Sequence, residues 1–172
     1  MVADLSAWER RGLIALQERT RGSALVPAAK VLSAAGEHAA GWLAIVATGA
    51  VVDPRRRREW VTAGISVLGA HAGAVVVKRV VRRQRPAGAG LEAWDRTASS
   101  LSFPSAHASS SVAAAAVLMP LVGVAPVPAA AAVCAARLVL GVHYPTDVLA
   151  GAAWGALASR LVRRAGRPAW AA

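Results

Sequence analysis

The chain has 172 residues, 56% of them apolar, with 20 Lys and Arg against nine Asp and Glu and a formal net charge of +11; its mean hydropathy is +0.45. These values restrict it to one unusually apolar soluble domain or a small membrane protein. The single cysteine, Cys134, lies inside an apolar stretch, which says nothing of redox compartment and excludes a cysteine-based metal site.

In chain order, residues 1–22 mix Trp8, Leu13, Ile14 and Leu16 with Glu9, Arg10, Arg11, Glu18, Arg19 and Arg21. On a helix this is an amphipathic segment, expected to lie at a membrane interface with Trp8 as an anchor. Charges run through the place where the apolar region of a secretory signal would be, and no small-residue cleavage pattern follows, so the segment is expected to stay in the mature chain. Residues 23–37, with Pro27 and Lys30, read as either a short span or a second interfacial helix.

Residues 41–52, 60–77, 106–122, 124–142 and 148–162 carry no acidic side chain. Each is long enough, or nearly so, to cross a bilayer core that takes about 20 helical residues. They are built of Ala, Gly, Ser and Val rather than Leu and Phe, which suits close helix approach in lipid. A soluble helix would show a polar stripe every three to four residues, whereas residues 106–133 offer, beyond His107, only small hydroxyls and prolines. The expectation is an all-α polytopic membrane bundle of five or six transmembrane helices over residues 23–172, preceded by the interfacial helix of residues 1–22.

Clustered arginines invite a nucleic-acid reading, but here they fall at segment ends. Arg55 to Arg58 and the group Arg160, Arg163, Arg164 and Arg167 fit cytoplasmic flanks of a membrane protein. No aromatic-rich strand or recognition helix accompanies them, so no nucleic-acid partner is expected.

Three polar islands interrupt the apolar segments: KRVVRRQRP at 78–86, FPSAH at 103–107 and RLVLGVHYPTD at 137–147. With Arg55 to Arg58 in the cytoplasm, an even number of crossings separates the islands, so all three land on one face, expected to be extracytoplasmic. Lys78 and Arg85, seven residues apart, would share a helix face with Arg82, about 10 Å apart along the axis, until Pro86 ends the helix. Arg79 and Arg83 are expected to meet lipid head groups instead. Pro104 and Ser105 stand at the start of the next helix, whose free N–H groups and positive end favour a phosphate. Ala106 is small enough for close approach, and His107 follows in the first turn. The run Ser109 to Ser111 is expected to serve helix packing. Arg137 and His143 fall on different faces of a continuous helix unless Gly141 ends it. Asp147 would then open the last helix, where an acid is favoured, beside His143 as a dyad. No carboxylate cluster or Cys/His cage is available for a metal, and no cofactor is expected.

These islands resemble, in order, the patterns KxxxxxxRP, PSGH and SRxxxxxHxxxD of the phosphatidic acid phosphatase type 2 superfamily, which joins lipid phosphatases and vanadium haloperoxidases. Ala106 stands where that pattern has Gly, and Ala136 where it has Ser; neither change removes a catalytic group. The resemblance implies that His143 attacks phosphorus to form a phosphohistidine while Asp147 orients it, and that His107 protonates the leaving oxygen and then activates water. It implies that Lys78, Arg85, Ser105, Arg137 and the backbone at Ala106 hold the phosphate oxygens. The small, Ala- and Arg-rich chain is most similar to bacterial members acting on polyprenyl-linked lipid phosphates in cell-envelope precursor metabolism. Undecaprenyl diphosphate, phosphatidylglycerophosphate and phosphatidic acid are alternative substrates. A non-catalytic membrane scaffold or transport component retaining a phosphate pocket is the alternative of another class. Oligomeric state stays open.

Overall fold

The apolar stretches are all helical in the computed structural model, which describes residues 2–165. Arg167, expected on a cytoplasmic flank, lies outside the described residues, as do Met1 and the rest of the C-terminus. The helices are α1 (Val2–Thr20), α2 (Leu25–Gly36), α3 (Ala40–Val52), α4 (Arg57–Val81), α5 (Ala106–Val122), α6 (Pro126–Val139) and α7 (Pro145–Ala165). Among the described residues the one β-type contact is an isolated antiparallel bridge between Gln84 and Leu101.

Residues 23–37 are mostly helical and lead directly into the next apolar helix. Helices α2 and α3 are joined, with a kink at His38, by a short 3-10 turn, Glu37–Ala39, and together make an apolar stretch of 28 residues, Leu25–Val52, matched by a second, Pro54–Val81. Each holds more than the about 20 helical residues that a bilayer core takes. Helices α5 and α6, with 17 and 14 residues, are shorter and apolar. Val31, Ile45, Val61, Ile65, Leu68, Val76, Leu149, Leu157 and Leu161 point outward and are exposed. So large an apolar exterior is a liability in water and is the natural surface of a membrane protein.

Helix α5 sits at the centre, against α4, α6 and α7. Its small side chains allow this. On α7, a Cβ at Gly151 or Gly155 would run into the backbone carbonyl of Ser105 or Ser109, so only glycine permits the α5–α7 approach. The serines serve packing as expected. Ser109 and Ser110 donate back to the carbonyls of Ser105 and Ala106 at 2.9 and 3.0 Å, and Ser111 accepts from the Trp42 indole at 2.9 Å. Trp42, Val46, Trp60, Val67 and Leu118 fill the core beneath.

Two expectations are corrected. Helix α4 stops at Val81, short of Pro86: Arg82 adopts φ 55° and its N–H caps the Lys78 carbonyl at 3.0 Å. The chain then returns extended, with Ser102 N–H donating to the Arg83 carbonyl at 2.7 Å and Arg85 N–H to the Ser100 carbonyl at 3.2 Å. Arg85 therefore shares no helix face with Lys78 and is delivered by a loop. Helix α1 also differs from a simple amphipath. Trp8 is exposed, but the buried line is Glu9, Leu13 and Gln17, every fourth residue and mostly polar. The Gln17 amide pairs both ways with the Glu92 backbone, at 2.6 and 3.1 Å, which fastens α1 over the long loop before α5.

Candidate active site

Three segments far apart in sequence meet at one end of the bundle around a cavity of 540 Å³. Its wall includes Lys78, Arg79, Arg85, Ala106, His107, Arg137 and His143. Lys78 comes from the last turn of α4 and is buried. Arg85 comes from the extended return, where its Nε donates to the Ser99 carbonyl and its Nη1 to the Val142 carbonyl, both at 2.7 Å. Burial, and then the neighbouring Arg137, lower its pKa to about 10, so it stays charged at neutral pH.

Arg137, in the last turn of α6, is 2% exposed. Its Nη1 donates to the Ser33 hydroxyl and, at 3.5 Å, reaches the Asp95 carboxylate, to which Ser33 also donates. Its Nε has no hydrogen-bond partner among the described residues, which leaves one buried donor uncommitted at the cavity.

His107 stands in the first turn of α5, with Nε2 3.1 Å from the Ser33 carbonyl and 3.8 Å from a Glu37 carboxylate oxygen. A carbonyl can only accept, so Nε2 carries a hydrogen. Gly36 makes room, since a Cβ there would lie 2.7 Å from the His107 ring. Ser105 is fully buried and off the cavity wall. Its Oγ accepts from the Ala108 N–H at 3.4 Å as the α5 N-cap, and its own N–H donates to the Asp147 carbonyl at 2.9 Å. In this geometry its hydroxyl closes the helix end whose first residue, Ala106, lines the cavity.

Gly141, at φ 67°, ends α6 as expected and turns the chain so that His143 faces the cavity. Arg85 Nη1 lies 3.2 Å from His143 Nε2. A guanidinium only donates, so Nε2 presents a lone pair and Nδ1 carries the proton. That Nδ1 faces Asp147 Oδ2 at 3.5 Å, too long for a made hydrogen bond but in register for one. Burial first, then Arg85, Arg137 and Lys78, hold the His143 pKa well below its usual 6.5, so the imidazole is neutral.

Asp147 opens α7 and is itself held from two sides. Its Oδ2 accepts from the Tyr144 N–H at 2.8 Å, and its Oδ1 from Arg83 Nη1 at 2.8 Å. Arg83 was expected at the lipid surface; it points inward instead, because the left-handed turn at Arg82 reverses the chain. Its Nη2 pairs with Glu9 of α1 at 2.6 Å, its guanidinium carbon lies 4.1 Å over the Tyr144 ring, and Glu9 accepts from the Thr146 N–H and hydroxyl at 2.8 and 2.6 Å. Arg79 is exposed but borders the cavity rather than lipid alone. Sequence reasoning missed Glu9, Ser33, Glu37, Arg83 and Asp95. For Glu37 the available signal was a charge within an apolar stretch; Glu9, Arg83 and Asp95 carried none.

The PAP2 superfamily pattern matches residues 59–170, the part that holds all three islands. Over 152 residues the chain is 46% identical to the decaprenylphosphoryl-5-phosphoribose phosphatase of Mycolicibacterium smegmatis, covering 87% of this chain and 84% of that protein. Over 143 residues it is 46% identical to the phosphatase of the same name from Mycobacterium tuberculosis, covering 83% and 81%. Its fold matches the solved transmembrane PAP2 type phosphatidylglycerolphosphate phosphatase of Bacillus subtilis with a TM-score of 0.59 at 21% identity, over 92% of this chain and 94% of that one. The chain belongs to the PAP2 superfamily, as one of its phosphatases.

Proposed function

We propose that this protein is a multi-pass membrane phosphatase that removes the terminal phosphate of a polyprenyl-linked sugar phosphate, decaprenylphosphoryl-5-phosphoribose or a close analogue. The observation that carries the proposal is convergence: Lys78, Arg85, Arg137, His107 and His143, from three distant segments, line one cavity, with Asp147 behind His143. The likeness to phosphatases named for that substrate supports the choice of lipid.

In this reading the three cations hold the non-bridging oxygens, on which the transition state spreads its charge. The Nε2 lone pair of His143 attacks phosphorus, the bond from phosphorus to the sugar oxygen breaks, and His107, entering the step as imidazolium, gives that oxygen its Nδ1 proton and keeps its Nε2–H on the Ser33 carbonyl. Asp147 supports the charge that develops on His143. Water then gives His107 a proton and attacks the phosphohistidine; the P–N bond breaks, and inorganic phosphate leaves. Residues 23–172 form the catalytic unit, with five crossings if Leu25–Val52 counts as one, and residues 1–22 lie at the interface. The arginines at the opposite end of the bundle, including Arg58, Arg160, Arg163 and Arg164, favour a cytoplasmic position for that end and an extracytoplasmic active site.

The test is phosphate release from a panel holding decaprenylphosphoryl-5-phosphoribose, undecaprenyl diphosphate, phosphatidylglycerophosphate and phosphatidic acid, with wild type and His143→Ala. The sugar phosphate should be turned over best, and only by wild type. A clear preference for another member would replace the substrate assignment.

A further inference from the structure

The cavity holds a second set of polar groups that the hydrolysis above does not use. Glu37, His38 and His71 line it, and all three stand within the two long apolar stretches, Leu25–Val52 and Pro54–Val81. Ionisable side chains at membrane depth are costly, and where they occur they mark a ligand path or a relay. His71 precedes Lys78 by seven residues on α4, which places it on the same face about 10 Å deeper in the bundle. Its ring lies 6.1 Å from that of His38, and its buried Nδ1 has no hydrogen-bond partner among the described residues. The backbone is bent to bring these groups together: His38 and Ala39 adopt φ 49° and 61°, a conformation that non-glycine residues rarely take, and they interrupt what would otherwise be one continuous helix.

The chemistry of this set differs from that of the phosphate clamp. Three cations surround the reacting phosphate, whereas the deeper set offers one carboxylate and two imidazoles. A carboxylate repels a second phosphate and accepts hydrogen bonds from hydroxyls; an imidazole accepts or donates one. A prenyl or acyl chain would need none of them. Position adds to this: Glu37 lies 3.8 Å from His107, the residue that protonates the leaving oxygen. The set therefore borders the His107 ring on the Nε2 side and lies next to the leaving group's path rather than within the cation clamp.

We infer that Glu37, His38 and His71 form a subsite for the hydroxyl groups of a sugar-bearing leaving group, between the phosphate clamp and the lipid tail. The inference rests on the phosphatase reading above and names the residues that select its substrate.

Two substrates test it: farnesylphosphoryl-ribose 5-phosphate and its 2,3-dideoxyribose counterpart, each in detergent micelles. Wild type should favour the hydroxylated substrate by at least about tenfold in kcat/KM, since a site built to bond a hydroxyl discriminates against its absence. His71→Ala should pull that ratio towards one, mainly by weakening turnover of the hydroxylated substrate. His38→Ala, at a more exposed position, should do the same to a smaller degree and serves if His71→Ala does not fold. Equal kcat/KM for the two substrates in wild type would overturn the subsite and leave the phosphatase reading standing. So would an unchanged preference in both folded variants. Turnover of phosphatidic acid with neither sugar phosphate hydrolysed would overturn the phosphoribose assignment, and the subsite with it.

Discussion

His143 combines two properties that water would not give an imidazole: a lone pair aimed into a cationic cavity and a proton held towards a carboxylate. His143→Ala should lower phosphate release by at least about a thousandfold while the protein stays folded in detergent, as loss of a nucleophile does; wild-type turnover would remove His143 from the mechanism. The depressed His143 pKa also fixes a sign. Between its folded value and the unfolded value near 6.5, the unfolded chain binds the extra proton, so this residue's contribution to stability is complete above about pH 6.5 and is lost as pH falls below it. Ring nitrogen shifts of labelled protein should show His143 still neutral at pH 6, and a protonated ring there would contradict the account. At this scale the sequence was most legible where a polar side chain stood in an apolar surround, as with Lys78, His107, Arg137, His143 and Asp147. Arg83 was not legible. Nothing in KRVVRRQRP marks Arg82 as the residue that turns left-handed, and that one dihedral decides whether Arg83 meets lipid or Asp147.

At the scale of elements, α1 is more than a membrane float. Glu9 and Asp147 are both fully buried carboxylates, and Arg83 joins them at 2.6 and 2.8 Å. Removing the cation leaves two buried charges uncompensated, a change that costs about 3–5 kcal/mol in comparable pairs. Arg83→Met should therefore lower the melting temperature in detergent and reduce kcat more than it raises KM, because its effect reaches the nucleophile through Asp147. Wild-type kcat in a folded Arg83→Met protein would show that α1 only anchors the chain. Gly36→Ala is a second probe, since its added Cβ would press on the His107 ring; kcat should fall with little change in KM, and an unaffected kcat would mean that the α2 end does not position His107. Helix identity was legible from apolar runs, and the end of α6 from Gly141. The kinked junction of α2 with α3, and its role in carrying Ser33 and Glu37 to the site, were not. That stretch lacks a motif, and its function appears only when it packs beside α6 and α5.

At the scale of the whole molecule, topology assembles the site. An even number of helices between islands, none between the first two and α5 and α6 before the third, puts them at one end of the bundle, which is why their convergence could be read from the chain before any side-chain contact. The arginine-lined hollow of 660 Å³ at the opposite end, walled by Arg58, Arg160, Arg163 and Arg164, gives the bundle a charge asymmetry of its own. Catalysis by fixed cations and two histidines requires no metal in the proposed steps. Phosphate release should accordingly persist in excess chelator, and its loss on chelation with recovery on adding a divalent cation would contradict the mechanism. A phosphohistidine at His143 is trapped by rapid quenching of wild-type enzyme into alkali during turnover of a lipid substrate carrying radiolabelled terminal phosphate, followed by peptide mapping. Label should appear on the peptide containing His143 and be absent in His143→Ala. Phosphate release at the wild-type rate from His143→Ala, or label on another residue that survives that substitution, would contradict it.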